Sequence, residues 1–265
     1  MKKEELDMKQ LASSLVIAFA MYSKIPMPRV NWEKENMQYA MCFFPLIGGV
    51  IGALLVGWNL LCASLRFGMM LESAGYVVIP ILVTGGIHID GFLDTVDALS
   101  SYQPKERKLE ILKDPHTGAF AIIYGIAYGI FTFGLCSELA GVPANRKVWI
   151  VVVLGFMLSR SLSGLGVVTL RSAKTSGLLA MFQSAAKQRL VACVMAVWIV
   201  AVGAVMVVVA PMMGAAVLVV SAAVFAIYRF VAYKQFGGIT GDLAGFFLVL
   251  CELGILAAIV VASRW

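Results

Sequence analysis

Leu190–Val209 reads LVACVMAVWIVAVGAVMVVV, twenty consecutive residues without a charge or a proline. At 1.5 Å per residue, a helix of that length covers about 30 Å, the hydrocarbon thickness of a bilayer. Within lipid every backbone amide must find its partner inside the segment, so the run predicts a transmembrane α-helix. It lacks the alternation of a membrane-barrel strand.

Outward from this run, comparable apolar stretches lie at Met41–Ser64, Ser73–Ile89, Thr117–Cys136, Val148–Val168, Met212–Tyr228 and Leu243–Ala262, making seven spans in all. Leu11–Tyr22 is shorter and carries Ser13 and Ser14, which suits an interfacial or re-entrant helix. Glu4, Glu5 and Asp7 interrupt the basic stretch that a cleaved signal peptide needs. No repeat, low-complexity tract or linker divides the chain, so residues 1–265 read as a single integral membrane domain of all-α, polytopic class.

Composition agrees, since 61% of the residues are hydrophobic and only 14% charged, a balance that leaves too little polar surface for a soluble domain. The formal charge of +6 is mainly a topology signal. Sixteen Lys and Arg fall on one side of the seven spans, among them Lys2, Lys3, Lys24, Lys105, Lys113, Arg171, Lys174, Arg229 and Lys234. Only Arg66, Arg146, Lys147 and Arg264 fall on the other, which places the N-terminus in the cytoplasm. The basic residues are scattered over separate loops without interleaved aromatics, so a nucleic-acid partner is not expected. Cys42, Cys62, Cys136, Cys193 and Cys251 sit in apolar stretches without CxxC spacing and read as packing residues. The sequence allows a homo-oligomer without setting its size.

Four motifs carry chemistry, and the span count sends them to one cytoplasmic face. In Thr84-Gly-Gly-Ile-His-Ile-Asp-Gly-Phe-Leu-Asp-Thr-Val-Asp97, helical spacing sets Asp90, Asp94 and Asp97 within about a 60° arc. Converging carboxylates suit a hard divalent cation; the competing reading is a solvated helix end. In Lys113-Asp114-Pro115-His116-Thr117-Gly118, Asp114 is placed to cap the third span with Pro115 in its first turn. The same helix start offers free N–H groups, with Lys113 and His116, to an anion. Arg160 lies inside the fourth span, and the following loop, Arg171 to Leu178, contains Lys174 and Gly177. Phe236-Gly-Gly-Ile-Thr-Gly-Asp242 is a glycine-rich turn before the seventh span, where Gly237, Gly238 and Thr240 let backbone approach phosphate and Asp242 acts as ligand or cap. Glu252, a second intramembrane charge, is a candidate partner for Arg160.

These residues, with Ser23-Lys-Ile-Pro-Met-Pro28 and Phe44-Pro-Leu-Ile-Gly48, resemble the adenosylcobinamide-GDP ribazoletransferase, or cobalamin synthase, family over most of the chain. The aspartate block is the most specific part. The resemblance implies a magnesium-dependent transferase that joins α-ribazole, or its 5′-phosphate, to adenosylcobinamide-GDP and releases GMP. It implies Asp90, Asp94 and Asp97 as metal ligands, with one of them, Asp97 among the candidates, accepting the proton of the attacking 5′-hydroxyl. Lys113, Arg160 and Lys174 would stabilise the departing GMP, while Asp114, His88, His116, Gly118, Gly237, Gly238, Thr240, Asp242 and Glu252 complete the catalytic and substrate-binding set. Departures from the family pattern are Phe92-Leu93, Ala98, Pro115 and Val249.

Two other readings compete. A CDP-alcohol phosphotransferase would carry Ala-Arg after Asp-Gly and a later Gly-x-x-x-Asp-x-x-x-Asp, both missing here. A cation-coupled transporter would keep its acids near the bilayer midplane, whereas this block ends a span.

Overall fold

The computed structural model describes residues 8–141, 146–174 and 177–265. Lys2, Lys3, Glu4, Glu5 and Asp7, and residues 175 and 176 of the predicted cationic loop, lie outside them. Among the described residues the elements are helical: α1 (Met8–Tyr22), α2 (Lys34–Met37), α3 (Phe44–Leu65), α4 (Met69–Thr84), α5 (Ile87–Ser100), α6 (Lys105–Ile111), α7 (Ala119–Ala140), α8 (Arg146–Thr169), α9 (Leu178–Ala185), α10 (Gln188–Val209), α11 (Pro211–Val231) and α12 (Gly241–Ala262).

Six of these are long and apolar enough to cross a bilayer, and the α4–α5 pair makes a seventh crossing when taken as one span. Leu60, Ile126, Ile130, Val200, Val208 and Val219 point outward, as a lipid-facing surface requires. α8 is the most enclosed of the long helices and packs against α3, α10 and α12. Small residues let it come close: a methyl added at Gly48 would lie 2.3 Å from the Phe156 carbonyl oxygen, and one at Gly52 would lie 2.6 Å from Val153 Cα.

One expected span is wrong in shape. The span read at Ser73–Ile89 is not one continuous helix, because α4 stops at Thr84 and α5 leaves at 94°. Gly85 and Gly86 adopt φ values of 64° and 78°, and the Gly86 N–H donates back to the Ile81 carbonyl at 3.0 Å, which closes the helix end. Ile87 and Ile89 continue the apolar run past this turn and hide it in the sequence. The expected start of the third span also moves, because α7 begins at Ala119 with Gly118 as its N-cap.

α5 and α12 meet through glycines. A Cβ on Gly91 would lie 2.7 Å from the Asp242 carbonyl oxygen, and one on Gly245 would lie 2.8 Å from that of His88. Phe92 stacks on Phe246 at 6.0 Å beside this contact. The crossing brings the first turn of α12 against the acidic helix.

Candidate active site

α5 buries His88, Phe92, Thr95, Val96 and Ala98 in the bundle, leaving Asp90 exposed and Asp94 and Asp97 half-buried. The α12 crossing adds a fourth acid, since the Asp94 carboxyl lies in the fields of Asp90, Asp97 and Asp242 together. Such crowding favours a bound cation, and its oxygen-only donor set fits a hard one. Among the described residues, no three His, Cys, Asp or Glu side chains are already arranged to hold a metal ion.

The start of α7 abuts this cluster. A methyl on Gly118 would fall 2.1 Å from each oxygen of the Asp97 carboxylate, so any larger residue there must push that carboxylate aside. The positive end of the α7 dipole therefore lies beside Asp97. Gly118→Ala is expected to lower turnover about tenfold by displacing that carboxylate, on the scale of a misplaced catalytic group. Steady-state rates with an unchanged thermal unfolding midpoint check it; full activity would show that the Asp97 position is not critical.

Asp114 does not cap α7. Its Oδ1 instead accepts the His116 backbone N–H at 3.0 Å and lies 2.7 Å from His116 Nδ1, a local turn that exists because three residues still separate Asp114 from Gly118. The His116 N–H holds the exposed Asp114 carboxyl below its ordinary range. The His116 side chain is largely solvent-exposed.

The glycine turn and the cationic loop are stitched into one edge. Ser172 and Ile239 form a parallel bridge, in which the Ala173 N–H donates to the Ile239 carbonyl at 2.8 Å and the Ile239 N–H to the Arg171 carbonyl at 2.9 Å. Gly238 is required, because its Cβ would sit 2.5 Å from the Arg171 carbonyl oxygen. Gly237 turns the chain at φ 78°, and the Thr240 hydroxyl caps α12 by accepting the Leu243 N–H at 3.2 Å. Arg171 donates to the Gly237 carbonyl at 2.9 Å and covers Tyr233, so it braces this edge. Lys174 is half-buried with Asp242 and Lys113 as its charged neighbours; burial lowers its proton affinity and Asp242 restores part of it.

The structure thus gathers Asp90, Asp94, Asp97, Gly118, Lys113, Lys174, Gly238, Thr240 and Asp242 at one end of the bundle. Arg160 and Glu252 stay apart from them and pair with each other at 2.6 Å. Glu252 is ten residues beyond Asp242, about 15 Å along the helix. Two residues escaped sequence reasoning. Lys24 packs over Gly85 and shares a surface hollow with Asp90, and buried Lys108 donates to Gln235 at 2.6 Å, holding the π-turn Ala232–Phe236 that leads into the glycine edge. Lys24 was legible only as part of a motif, and Lys108 only as one topogenic charge among many.

Six long apolar helices among the described residues, or seven crossings with the bent α4–α5 pair taken as one, describe a polytopic membrane protein, and a carboxylate cluster with two lysines is gathered at one end of its bundle. The family model for cobalamin-5-phosphate synthase matches residues 14–260. The chain is 48% identical over 95% of its length to an adenosylcobinamide-GDP ribazoletransferase of Lachnoclostridium phytofermentans, covering 94% of that protein. It is 32% identical to the protein of that name from Clostridium botulinum, over 95% of this chain and 98% of the relative. The Pseudomonas syringae protein is also 32% identical, over 84% and 88%. No solved structure matches. The chain belongs to the cobalamin-5-phosphate synthase family.

Proposed function

We propose that this site joins α-ribazole, or its 5′-phosphate, to adenosylcobinamide-GDP, releasing GMP and forming adenosylcobalamin or its 5′-phosphate, a late step of cobalamin biosynthesis. The observation that carries the chemistry is the crowding of Asp90, Asp97 and Asp242 around Asp94, with Lys174 neighbouring Asp242 and Lys113 neighbouring Lys174. Magnesium held by Asp90, Asp94 and Asp97 would supply the charge neutralisation that a diphosphate needs.

The chain's own residues do the rest. A ribose hydroxyl forms a bond to the phosphorus nearest cobinamide, and the bond from that phosphorus to the bridging oxygen breaks, leaving the oxygen on GMP. Because an acceptor phosphorylated at O5′ keeps that phosphate in the product, the nucleophile is a ring hydroxyl, not the 5′-hydroxyl expected from the resemblance. Asp97, fixed by Gly118, is positioned to take its proton. Lys174 and Lys113 are positioned to meet the charge that develops on the leaving phosphate. The Gly238 and Ile239 N–H groups are held by the Ala232 and Arg171 carbonyls, so the glycine edge shapes the wall of the site while the side chains meet the diphosphate.

The charge asymmetry supports a site that faces the cytoplasm. In a background without native cysteines, Lys105→Cys should react with an impermeant maleimide only from the cytoplasmic side and Arg146→Cys only from outside. Labelling of position 105 from outside would reject the orientation. The activity itself is tested by GMP formation from adenosylcobinamide-GDP and α-ribazole with purified protein; no release under saturating magnesium would reject the reaction.

A further inference from the structure

A cavity of about 330 Å³ runs inward beside the carboxylates. One end is polar, with Asp90, Lys174, Thr240 and Asp242 in its wall. The other is aromatic and apolar. There Tyr22 packs on Phe44 at 4.5 Å and on Phe182 at 6.2 Å, with Met41 completing the wall. His88 closes this end, lying 6.2 Å from the Tyr22 ring and 6.0 Å from Phe44. It is 8% exposed, and its Nε2 is buried without a hydrogen-bond partner. A buried ring nitrogen left unpaired is costly, so a polar partner is expected once a small turn of the ring uncovers Nε2 toward the cavity.

We propose that this cavity is the acceptor subsite, holding the benzimidazole base of α-ribazole among Tyr22, Phe44 and Phe182, with its free ring nitrogen bonded to His88 through a shared proton or a water. The assignment rests on the reaction proposed above. The base is a flat, apolar bicycle with one exposed hydrogen-bonding nitrogen, which matches three aromatic rings and one unpaired buried nitrogen. Guanine carries polar groups on most of its edges, and an apolar wall would leave them unsatisfied. A corrin macrocycle is far too large for the space, so the corrinoid diphosphate must approach from the polar end. Seated this way, the base projects its ribose toward Asp90 and Asp242, delivering the hydroxyl to the carboxylate cluster from inside the bundle while the diphosphate arrives from outside.

The test combines isothermal titration of α-ribazole alone against detergent-solubilised full-length protein with KM values for both substrates. Ala180→Phe fills the cavity from α9, where residue 180 is only half-buried and a larger side chain need not disturb the fold. His88→Leu removes the unpaired nitrogen while keeping an apolar wall. Each is expected to weaken α-ribazole binding and raise its KM at least tenfold, leaving the KM for adenosylcobinamide-GDP within twofold; His88→Gln should recover part of the loss. Unchanged α-ribazole affinity in both variants, or a rise confined to the corrinoid KM, would overturn the assignment. Wild-type protein that binds α-ribazole in this cavity-dependent way but forms no GMP would support the subsite and reject the reaction.

Discussion

Replacement of Asp94 by Asn is expected to cut GMP release at least a hundredfold, equivalent to about 2.7 kcal/mol of lost transition-state stabilisation, while the protein stays folded. Asp94 stands between Asp90 and Asp97 on the same face of α5, and the glycine crossing adds Asp242 to its neighbours. A cation shared by any two of these acids is therefore expected to use Asp94. Asn preserves the shape and removes the charge, so it separates ligation from packing. It also relieves repulsion in a crowded cluster, which should leave the thermal unfolding midpoint unchanged or raise it. A helix end that is merely solvated would show the same stability gain with normal turnover. The measurement is GMP formation across a magnesium titration with monodisperse protein, and near-wild-type turnover at limiting magnesium would remove Asp94 from the metal-binding set.

Much of this architecture was legible because lipid allows few solutions. A long apolar run has to be a helix, and six of the expected spans coincide with long helices to within a few residues. The acidic stripe was legible because helical spacing fixes relative direction, and α5 is helical throughout the block. The pairing of Arg160 with Glu252 followed from the cost of leaving either charge alone in a membrane. What escaped depends on contacts between distant segments. The turn at Gly85 and Gly86 is flanked by apolar residues on both sides, so hydropathy runs through it. Asp242 joined the carboxylates only because Gly91 and Gly245 let two backbones touch, and nothing local to either glycine announces its partner. Asp114 was misread because Asp-Pro is as good a turn as a helix start, and the deciding residue, Gly118, is fixed by Asp97 on another helix.

Breaking the interior ion pair should be the largest stability effect in the protein. The Arg160 side chain is 1% exposed and that of Glu252 18%, with 2.6 Å between Nη1 and the Glu252 carboxylate. Arg160 Nη1 also donates to the Phe156 carbonyl at 3.0 Å, and its guanidinium lies 5.6 Å from the Phe156 ring. Ser159 donates to the same Glu252 oxygen at 3.2 Å, so three groups from α8 and α12 form one connected network. Glu252→Gln strands a buried guanidinium, and Arg160→Met strands a carboxylate; each is expected to cost about 3–5 kcal/mol, because the remaining charge keeps its desolvation penalty and loses its partner. The double variant strands neither charge, and replacing a buried pair together is often close to neutral. It should therefore recover most of the loss, giving a coupling of about 2 kcal/mol or more between the two positions. Thermal or denaturant unfolding in one detergent, run on wild type and all three variants, closes the cycle. Strictly additive losses would show that the two charges are held by separate partners and that α8 and α12 are joined by packing alone.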